Sequence, residues 1–169
     1  RGGKREETHT RQLQLQPQPM LDFVILLSKQ GKVRLSKWYS PVTEREKNTL
    51  IRDITAIIPL RRARMCNVIE YRDSKIIYRR YASLFFVVGI SSDDNELLAL
   101  EIIQRYVESM DKAYGNVCEL DIVFNFQLAY HVLDELIIGG ELCEPSGSEV
   151  LRKVAAADAL EDEERLRAR

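Results

Sequence analysis

The stretch from Tyr78 to Ile90 reads Tyr-Arg-Arg-Tyr-Ala-Ser-Leu-Phe-Phe-Val-Val-Gly-Ile and is the longest run of the chain that is dense in aromatic and β-branched residues. Such residues fit the pleated, half-buried surface of a β-sheet. Residues 84–88 are apolar at consecutive positions, which a strand needs only when both of its faces are covered. We therefore predict a central strand here, with helices packed on both sides of its sheet.

The boundaries of this strand follow from the residues that interrupt the pattern. Gly89 and the polar residues 91–94 are expected to end it. A break near Ala82 and Ser83 leaves open whether the run forms one bent strand or two.

Two strands and a helix are predicted before this stretch. Residues 20–28 and 33–39 are strand-like and flank the turn 29–32, where Gly31 is free to adopt a positive φ, so they predict a β-hairpin. Thr43 and Glu46 have the spacing of a capping box at a helix start. Apolar residues then recur with helical spacing until Pro59; they are Leu50, Ile51, Ile54, Ile57 and Ile58.

Between that helix and Tyr78, residues 65–71 predict a third strand and residues 72–75 a tight turn, so that residues 76–81 begin a fourth strand. The loop 61–64 carries three arginines. A contact with phosphate or acidic lipid head groups is one interpretation of this loop. A solvated connection is the simpler one, because three arginines make a weak basic patch.

A long amphipathic helix is predicted over residues 95–114, with Asp93 or Asp94 as its N-cap and Gly115 at its end. Apolar residues wrap more than half of its circumference, and one sheet cannot cover that much surface. This helix is therefore either central in the fold or shared with a partner protein.

The C-terminal part of the chain predicts further helices. A short segment, 117–123, leads into a helix from about 124 to 138 that Gly139 and Gly140 close. Ser146 and Glu149 have the spacing of a second capping box. The tail helix that follows carries the apolar residues Val150, Leu151, Val154 and Leu160.

The order of these elements predicts an α+β fold: about five strands in a mainly antiparallel sheet flanked by helices, with a C-terminal helical segment. The length of 169 residues favours one domain, which we place at 20–160. Residues 1–19 are polar and without periodicity, so we expect a flexible leader outside the fold and a natural start at Met20. The charged residues 161–169 are expected to fray.

Composition and motifs argue against several classes of function. The formal net charge of −1 gives no general attraction to nucleic acid. The three cysteines lack metal-ligand spacing and fit a reducing, cytosolic compartment. No glycine-rich phosphate loop and no Gly-x-Ser-x-Gly motif occurs, and His131 and Cys118 have no catalytic partner nearby in the sequence. We therefore predict no catalytic residue, no cofactor and no metal site.

Four collinear segments resemble the small, or sigma, subunits of the clathrin adaptor complexes, and the resemblance extends over residues 20–160. Within that family, Tyr81-Ala82-Ser83-Leu84 and the residues from Asp94 to Leu98 are most similar to the gamma-adaptin-containing type of the trans-Golgi network and endosomes. The four segments are 31–39 (Gly-Lys-Val-Arg-Leu-Ser-Lys-Trp-Tyr), 78–86, Asp94-Asn95-Glu96-Leu97 and 116–126 (Asn-Val-Cys-Glu-Leu-Asp-Ile-Val-Phe-Asn-Phe).

The resemblance implies a longin-like fold inside a heterotetramer. A large adaptin of the gamma type would be the obligate partner and would cover the surplus apolar surface of the long helix, with beta and mu adaptins in the same complex. Clathrin and a small GTPase would be reached indirectly, through the other subunits. The implied location is cytoplasmic, on the surface of Golgi and endosome membranes and clathrin-coated vesicles.

The resemblance also implies a binding site for sorting signals of the form acidic-x-x-x-Leu-Leu in the cytosolic tails of membrane proteins. Carried over by matching positions, its residues are apolar pocket residues, an asparagine beside them and a basic residue near the acidic position of the signal. They are Ala82, Leu84, Val107, Val117 and Ile122, then Asn116, then Arg34.

Two alternatives remain open from the sequence. One alternative to a cargo-binding adaptor subunit is an adaptor subunit with an idle pocket, whose role is to stabilise the large adaptin. The other is the small subunit of another coat, of the plasma-membrane or COPI type, with a purely structural role.

Overall fold

The stretch Tyr78–Ile90 lies at the centre of a five-stranded antiparallel sheet in a computed structural model that describes residues 19–143 and 147–167. The order across the sheet is β2-β1-β5-β4-β3, so β5 is the middle strand, between β1 and β4. The predicted central strand and antiparallel sheet are confirmed. The strands are β1 (Leu21–Ser28), β2 (Val33–Trp38), β3 (Val68–Tyr71), β4 (Ser74–Tyr81) and β5 (Leu84–Ser91).

The central stretch forms two strands and not one bent strand. β4 and β5 pair in antiparallel register, and the two-residue turn between them places Ala82 at a φ of 51°. Two-residue hairpins favour such left-handed conformations because their twist matches that of the strands. β5 ends at Ser91, within the predicted polar residues 91–94, but Gly89 does not interrupt it. Gly89 instead faces the ring of Phe23 on β1, which occupies the space where a side chain would be.

The predicted third strand begins later than expected, at Val68. Upstream of it, the Met65 N–H donates to the Arg62 carbonyl at 3.0 Å and closes a turn. The turn before β4 is shorter than predicted, because Ser74 already pairs with Tyr71.

Two long helices begin where side-chain caps are available. α1 (Glu44–Ile57) has the predicted capping box, in which the N–H of Thr43 donates to Glu46 at 3.0 Å, and a 3-10 turn, Ile58–Leu60, follows it. α2 (Glu96–Tyr114) is capped by Asn95, whose Oδ1 accepts from the Leu97 N–H at 2.9 Å. The expectation that Asp93 or Asp94 caps this helix is therefore wrong. Gly115 ends it with a φ of 67°, as predicted.

The remaining elements are shorter, apart from the last helix. They are α3 (Glu119–Phe124), α4 (Phe126–Leu136), the paired short strands β6 (Ile137–Ile138) and β7 (Glu141–Leu142), and α5 (Gly147–Arg167). The segment predicted only to lead into a helix thus contains α3, and Asn125 separates α3 from α4. The capping residue Ser146 lies outside the described residues, as does the predicted leader up to residue 18.

The helices form two layers on the sheet, and α2 is the central helix. α1 covers one face through Ile54 and Ile58. α2 covers the other face, and α4 and α5 pack against α2 in turn. The Tyr106 hydroxyl fixes this arrangement by donating to the Ala129 carbonyl at 3.0 Å.

Of the two alternatives predicted for the long helix, this packing supports the first, a central position, and most of the surface that the resemblance assigned to a partner is covered by the chain itself. The helix's own neighbours in the chain bury Ala99, Ile102, Ile103, Tyr106, Val107 and Met110. Leu97 and Leu98, at the N-terminal end of the helix, remain 73% and 40% exposed.

Candidate functional site

Four of the predicted site residues lie in one hydrophobic cluster. Leu84 begins β5, Val107 lies on α2, Val117 follows α2, and Ile122 lies on α3. We call these four residues the aliphatic cluster. They belong to the larger hydrophobic core on the α2 face of the sheet, to which three elements and one connection contribute these four side chains.

The aliphatic cluster is closed in the chain by itself. Its members are 0–4% exposed, so a ligand reaches them only if the covering residues move. Ala82 and Asn116 are exposed, and both have positive φ values, of 51° and 70°. Ala82, predicted as an apolar pocket residue, lies in the exposed β4–β5 turn and is not part of the hydrophobic cluster that holds the other four. Asn116 lies in the connection from α2 to α3, with its amide available to a ligand backbone.

Asp111 ties the parts of this region together. Its Oδ1 accepts a hydrogen bond from the Tyr81 hydroxyl at 3.2 Å and another from the Val117 N–H at 3.1 Å. The nearby Asp111 charge raises the pKa of the Tyr81 hydroxyl, so Tyr81 remains a donor at neutral pH. One carboxylate thus connects the end of β4 to the residues after α2. Sequence reasoning missed it, because nothing local relates residues 30 positions apart.

Arg34 is already paired with a carboxylate. Its Nε and Nη2 both donate to Oε1 of Glu119, at 2.9 and 2.6 Å, and the two side chains are 26% and 20% exposed. This ion pair holds the first residue of α3 against β2, and Ile122 lies on the same short helix. The pair therefore links the basic residue of the predicted site to the helix that covers the aliphatic cluster.

The start of α3 is fixed a second time, by Asp121. Its carboxylate accepts from the Cys118 N–H at 2.8 Å. Hydrogen bonds from the thiol and the backbone of Cys118 lower the pKa of the Asp121 carboxyl. Glu119 and Asp121 are thus the acidic residues of the first turn of α3, where negative charge is favourable. The pairing of Glu119 with Arg34 was missed.

The described residues show little that points to other chemistry. His131 is half-buried on α4, and Cys118 is half-buried at the start of α3. Within 19–143 and 147–167 there is no group of three or more histidine, cysteine or acidic side chains able to hold a metal ion. In the same ranges, no helix is long and apolar enough to cross a bilayer.

The sheet order and the central α2 define a small α+β protein of the longin-like class. The chain belongs to the clathrin adaptor complex small chain family, whose model matches residues 20–161.

Known relatives support this assignment, and the similarity to them covers most of their length. The chain is 52% identical to the AP-1 complex subunit sigma-1 of Schizosaccharomyces pombe, over 82% of this chain and 86% of the relative. It is 46% identical to the human AP-1 complex subunit sigma-1A, over 86% of this chain and 92% of the relative. Among solved structures, it is similar to a chain of a homology model of the full-length AP-3 complex in a stretched open conformation. The TM-score is 0.69 at 26% identity, over 88% of this chain and 99% of that one.

Proposed function

We propose that this adaptor small chain is the sigma subunit of a gamma-adaptin-containing complex that sorts membrane proteins between the trans-Golgi network and endosomes. The relatives named above, at 46% and 52% identity, are AP-1 sigma subunits, which supports this type over the plasma-membrane and COPI alternatives. In this role the chain has no catalytic activity. It works in the cytoplasm on Golgi, endosome and clathrin-coated vesicle surfaces, beside beta and mu adaptins, and reaches clathrin and a small GTPase through them.

Exposed apolar side chains on α3 and α4 support an obligate large-adaptin partner. Leu120, Val123, Phe124 and Phe126 are 62%, 44%, 84% and 54% exposed. Four large apolar side chains within seven consecutive residues are unusual on a free surface and typical of the buried centre of a stable interface. We call them the α3–α4 apolar patch.

Replacing Phe124 and Phe126 by serine is expected to remove most of the large adaptin that co-purifies with the chain. Each exposed phenylalanine that a partner buries contributes about 1.5–3 kcal/mol, so the double variant loses at least two orders of magnitude in affinity. Leu160→Ser is the matched control, since Leu160 is 63% exposed on α5. Quantitative mass spectrometry of affinity-purified complexes also identifies the partner. Equal recovery of gamma-adaptin with the double variant would exclude this surface, and recovery of another large subunit would contradict the proposed type.

We further propose that the aliphatic cluster, with Asn116 and Arg34, binds acidic dileucine signals together with the large adaptin. The observation that supports this proposal is that Leu84, Val107, Val117 and Ile122, which the resemblance assigns to the site, are all apolar and belong to one hydrophobic core. Two leucines need a dry aliphatic site, and burying each one contributes about 1.5–3 kcal/mol. The cost of association leaves a modest net affinity, which many contacts on one membrane then increase.

Access to the aliphatic cluster requires α3 to shift, because Ile122 is fully buried and Glu119 anchors α3 to Arg34. The acidic residue of a signal would replace Glu119 as the partner of Arg34. One carboxylate replaces another on the half-buried Arg34, so the net cost of this exchange is small. Arg34 would then tune which peptides bind, while the two leucines supply most of the affinity.

Glu119→Gln is therefore expected to strengthen binding of an acidic dileucine peptide to the assembled complex by about twofold to fivefold, because Arg34 is released. Arg34→Gln is expected to weaken binding by a similar factor. Lys37→Gln is the matched control, since Lys37 lies on the same strand and pairs with Asp134 on α4 at 2.6 Å. Fluorescence anisotropy with the peptide, and with its Ala-Ala version, measures all three. Weaker binding by Glu119→Gln would show that Glu119 supports the site and does not compete for Arg34.

A scaffold role with an idle pocket is the second candidate, and the closure of the aliphatic cluster favours it. It predicts that the Ala-Ala peptide binds the assembled complex as well as the dileucine peptide does.

A further inference from the structure

A concave site lies on the opposite face of the sheet from the aliphatic cluster. It is a cleft of about 410 Å³ beside the 3-10 turn after α1 and the end of β4. Tyr78 and Phe85, which line it, belong to the hydrophobic cluster under α1. We call it the arginine cleft, because Arg61, Arg62, Arg79 and Arg80 line it. Its volume lies in the range of about 300–1,000 Å³ that small-ligand sites have.

The arginine side chains of this cleft are held in place by neutral groups. Arg61 donates from Nε to the Tyr78 hydroxyl at 2.7 Å and from Nη2 to the Cys66 carbonyl at 2.7 Å. Arg80 donates from Nε to the Ala82 carbonyl at 3.3 Å. Arg79 is directed elsewhere, since it donates to Gln104 on α2. Guanidinium groups fixed in this way lose little freedom when a ligand binds.

Most of the donor capacity of Arg61, Arg62 and Arg80 is unused. A guanidinium has five N–H groups, so the bonds above leave three on Arg61 and four on Arg80. Arg62 is exposed, and none of the three forms an ion pair with any carboxylate in residues 19–143 and 147–167. Three cations without a counter-charge around a concave, partly apolar surface concentrate a positive field there.

We infer that the arginine cleft binds a phosphate monoester group. Such a group carries close to two negative charges and three acceptor oxygens, which matches several converging guanidinium forks better than one carboxylate does. The ester comes either from the head group of a phosphorylated lipid or from a soluble sugar phosphate. Ala82, one of the predicted dileucine-site residues, also lines this cleft, but none of the four residues of the aliphatic cluster does, so either proposal can fail while the other stands.

The test uses the full chain assembled with the subunits that co-purify with it. Inositol hexakisphosphate is titrated by calorimetry, and vesicles of phosphatidylcholine with a phosphatidylinositol monophosphate are compared with phosphatidylserine vesicles of equal charge. We expect saturable binding that Arg62→Ala/Arg80→Ala weakens at least tenfold. Arg62→Glu alone is a second variant that breaks no hydrogen bond of the described chain and is expected to act in the same direction.

Arg64→Ala is the matched control, since Arg64 is exposed in the same loop and does not line the cleft. It is expected to change the affinity less than twofold. Binding of inositol hexakisphosphate without vesicle binding supports a soluble ester, and preference for the monophosphate vesicles supports a lipid head group. Equal weakening by Arg64→Ala overturns the inference, because it shows general charge attraction. Absence of binding to the assembled complex also overturns it.

Discussion

Gly89→Ala is expected to destabilise the folded chain by about 3 kcal/mol, a large loss for a single methyl group. An added Cβ would lie 2.1 Å from Cε1 of Phe23 and 2.6 Å from Cδ1 and Cζ of the same ring. The ring cannot move away easily, because it is 3% exposed and packs against Trp38 with a centroid distance of 5.0 Å. Either the ring leaves its preferred rotamer or β1 and β5 separate.

Two companion variants isolate this steric cause. Gly115→Ala adds a methyl group where no atom lies within 4 Å, so only the positive φ of 67° opposes it, at about 1–2 kcal/mol. Phe23→Leu makes room, and the double variant Phe23→Leu/Gly89→Ala is expected to be more stable than the sum of the single effects predicts. Urea denaturation followed by fluorescence of Trp38, the single tryptophan, measures each one. Additive single effects would contradict the proposed clash.

Gly89 also shows where sequence reasoning stops. A glycine followed by polar residues indicates the end of a strand, because glycine weakens strands locally. The actual reason for this glycine is the Phe23 ring, 66 positions earlier in the chain, and no local pattern records that contact. The Thr43 capping box and the Gly115 helix end were predicted correctly, because each is set by residues close to it in the sequence.

The candidate site also combines features that the sequence predicted with features that it did not. The resemblance supplied a list of residues, and the structure brings the four aliphatic ones into one cluster. The apolar pattern predicted that Leu84 is buried, but it could not show whether a ligand can reach the cluster, since that depends on how α3 packs in the folded chain. The Arg34–Glu119 pair joins residues 85 positions apart and is set by that same packing. The prediction for α2 had to leave two outcomes open for a related reason: a strongly apolar helix indicates extensive burial, but the pattern cannot tell whether the chain or a partner supplies it.

The proposed dileucine site makes its strongest prediction at Val107. Val107→Gln is expected to reduce the affinity of the assembled complex for an acidic dileucine peptide by at least tenfold. Glutamine is longer than valine, so it fills the space that a ligand leucine would take, and losing one buried leucine costs about 1.5–3 kcal/mol. The variant also lowers stability, because Val107 is 4% exposed and its amide would be buried without a certain partner.

Ile103→Gln separates these two effects. Ile103 lies one turn earlier on α2, is 1% exposed, and belongs to the same hydrophobic core but not to the proposed site. Both variants are expected to lower the denaturation midpoint and the yield of assembled complex. Among purified complexes, only Val107→Gln is expected to lose the peptide, as measured by anisotropy with the dileucine and Ala-Ala versions. If both variants bind the dileucine peptide with wild-type affinity, the aliphatic cluster is core alone, and the chain contributes to sorting only by holding its large partner in shape.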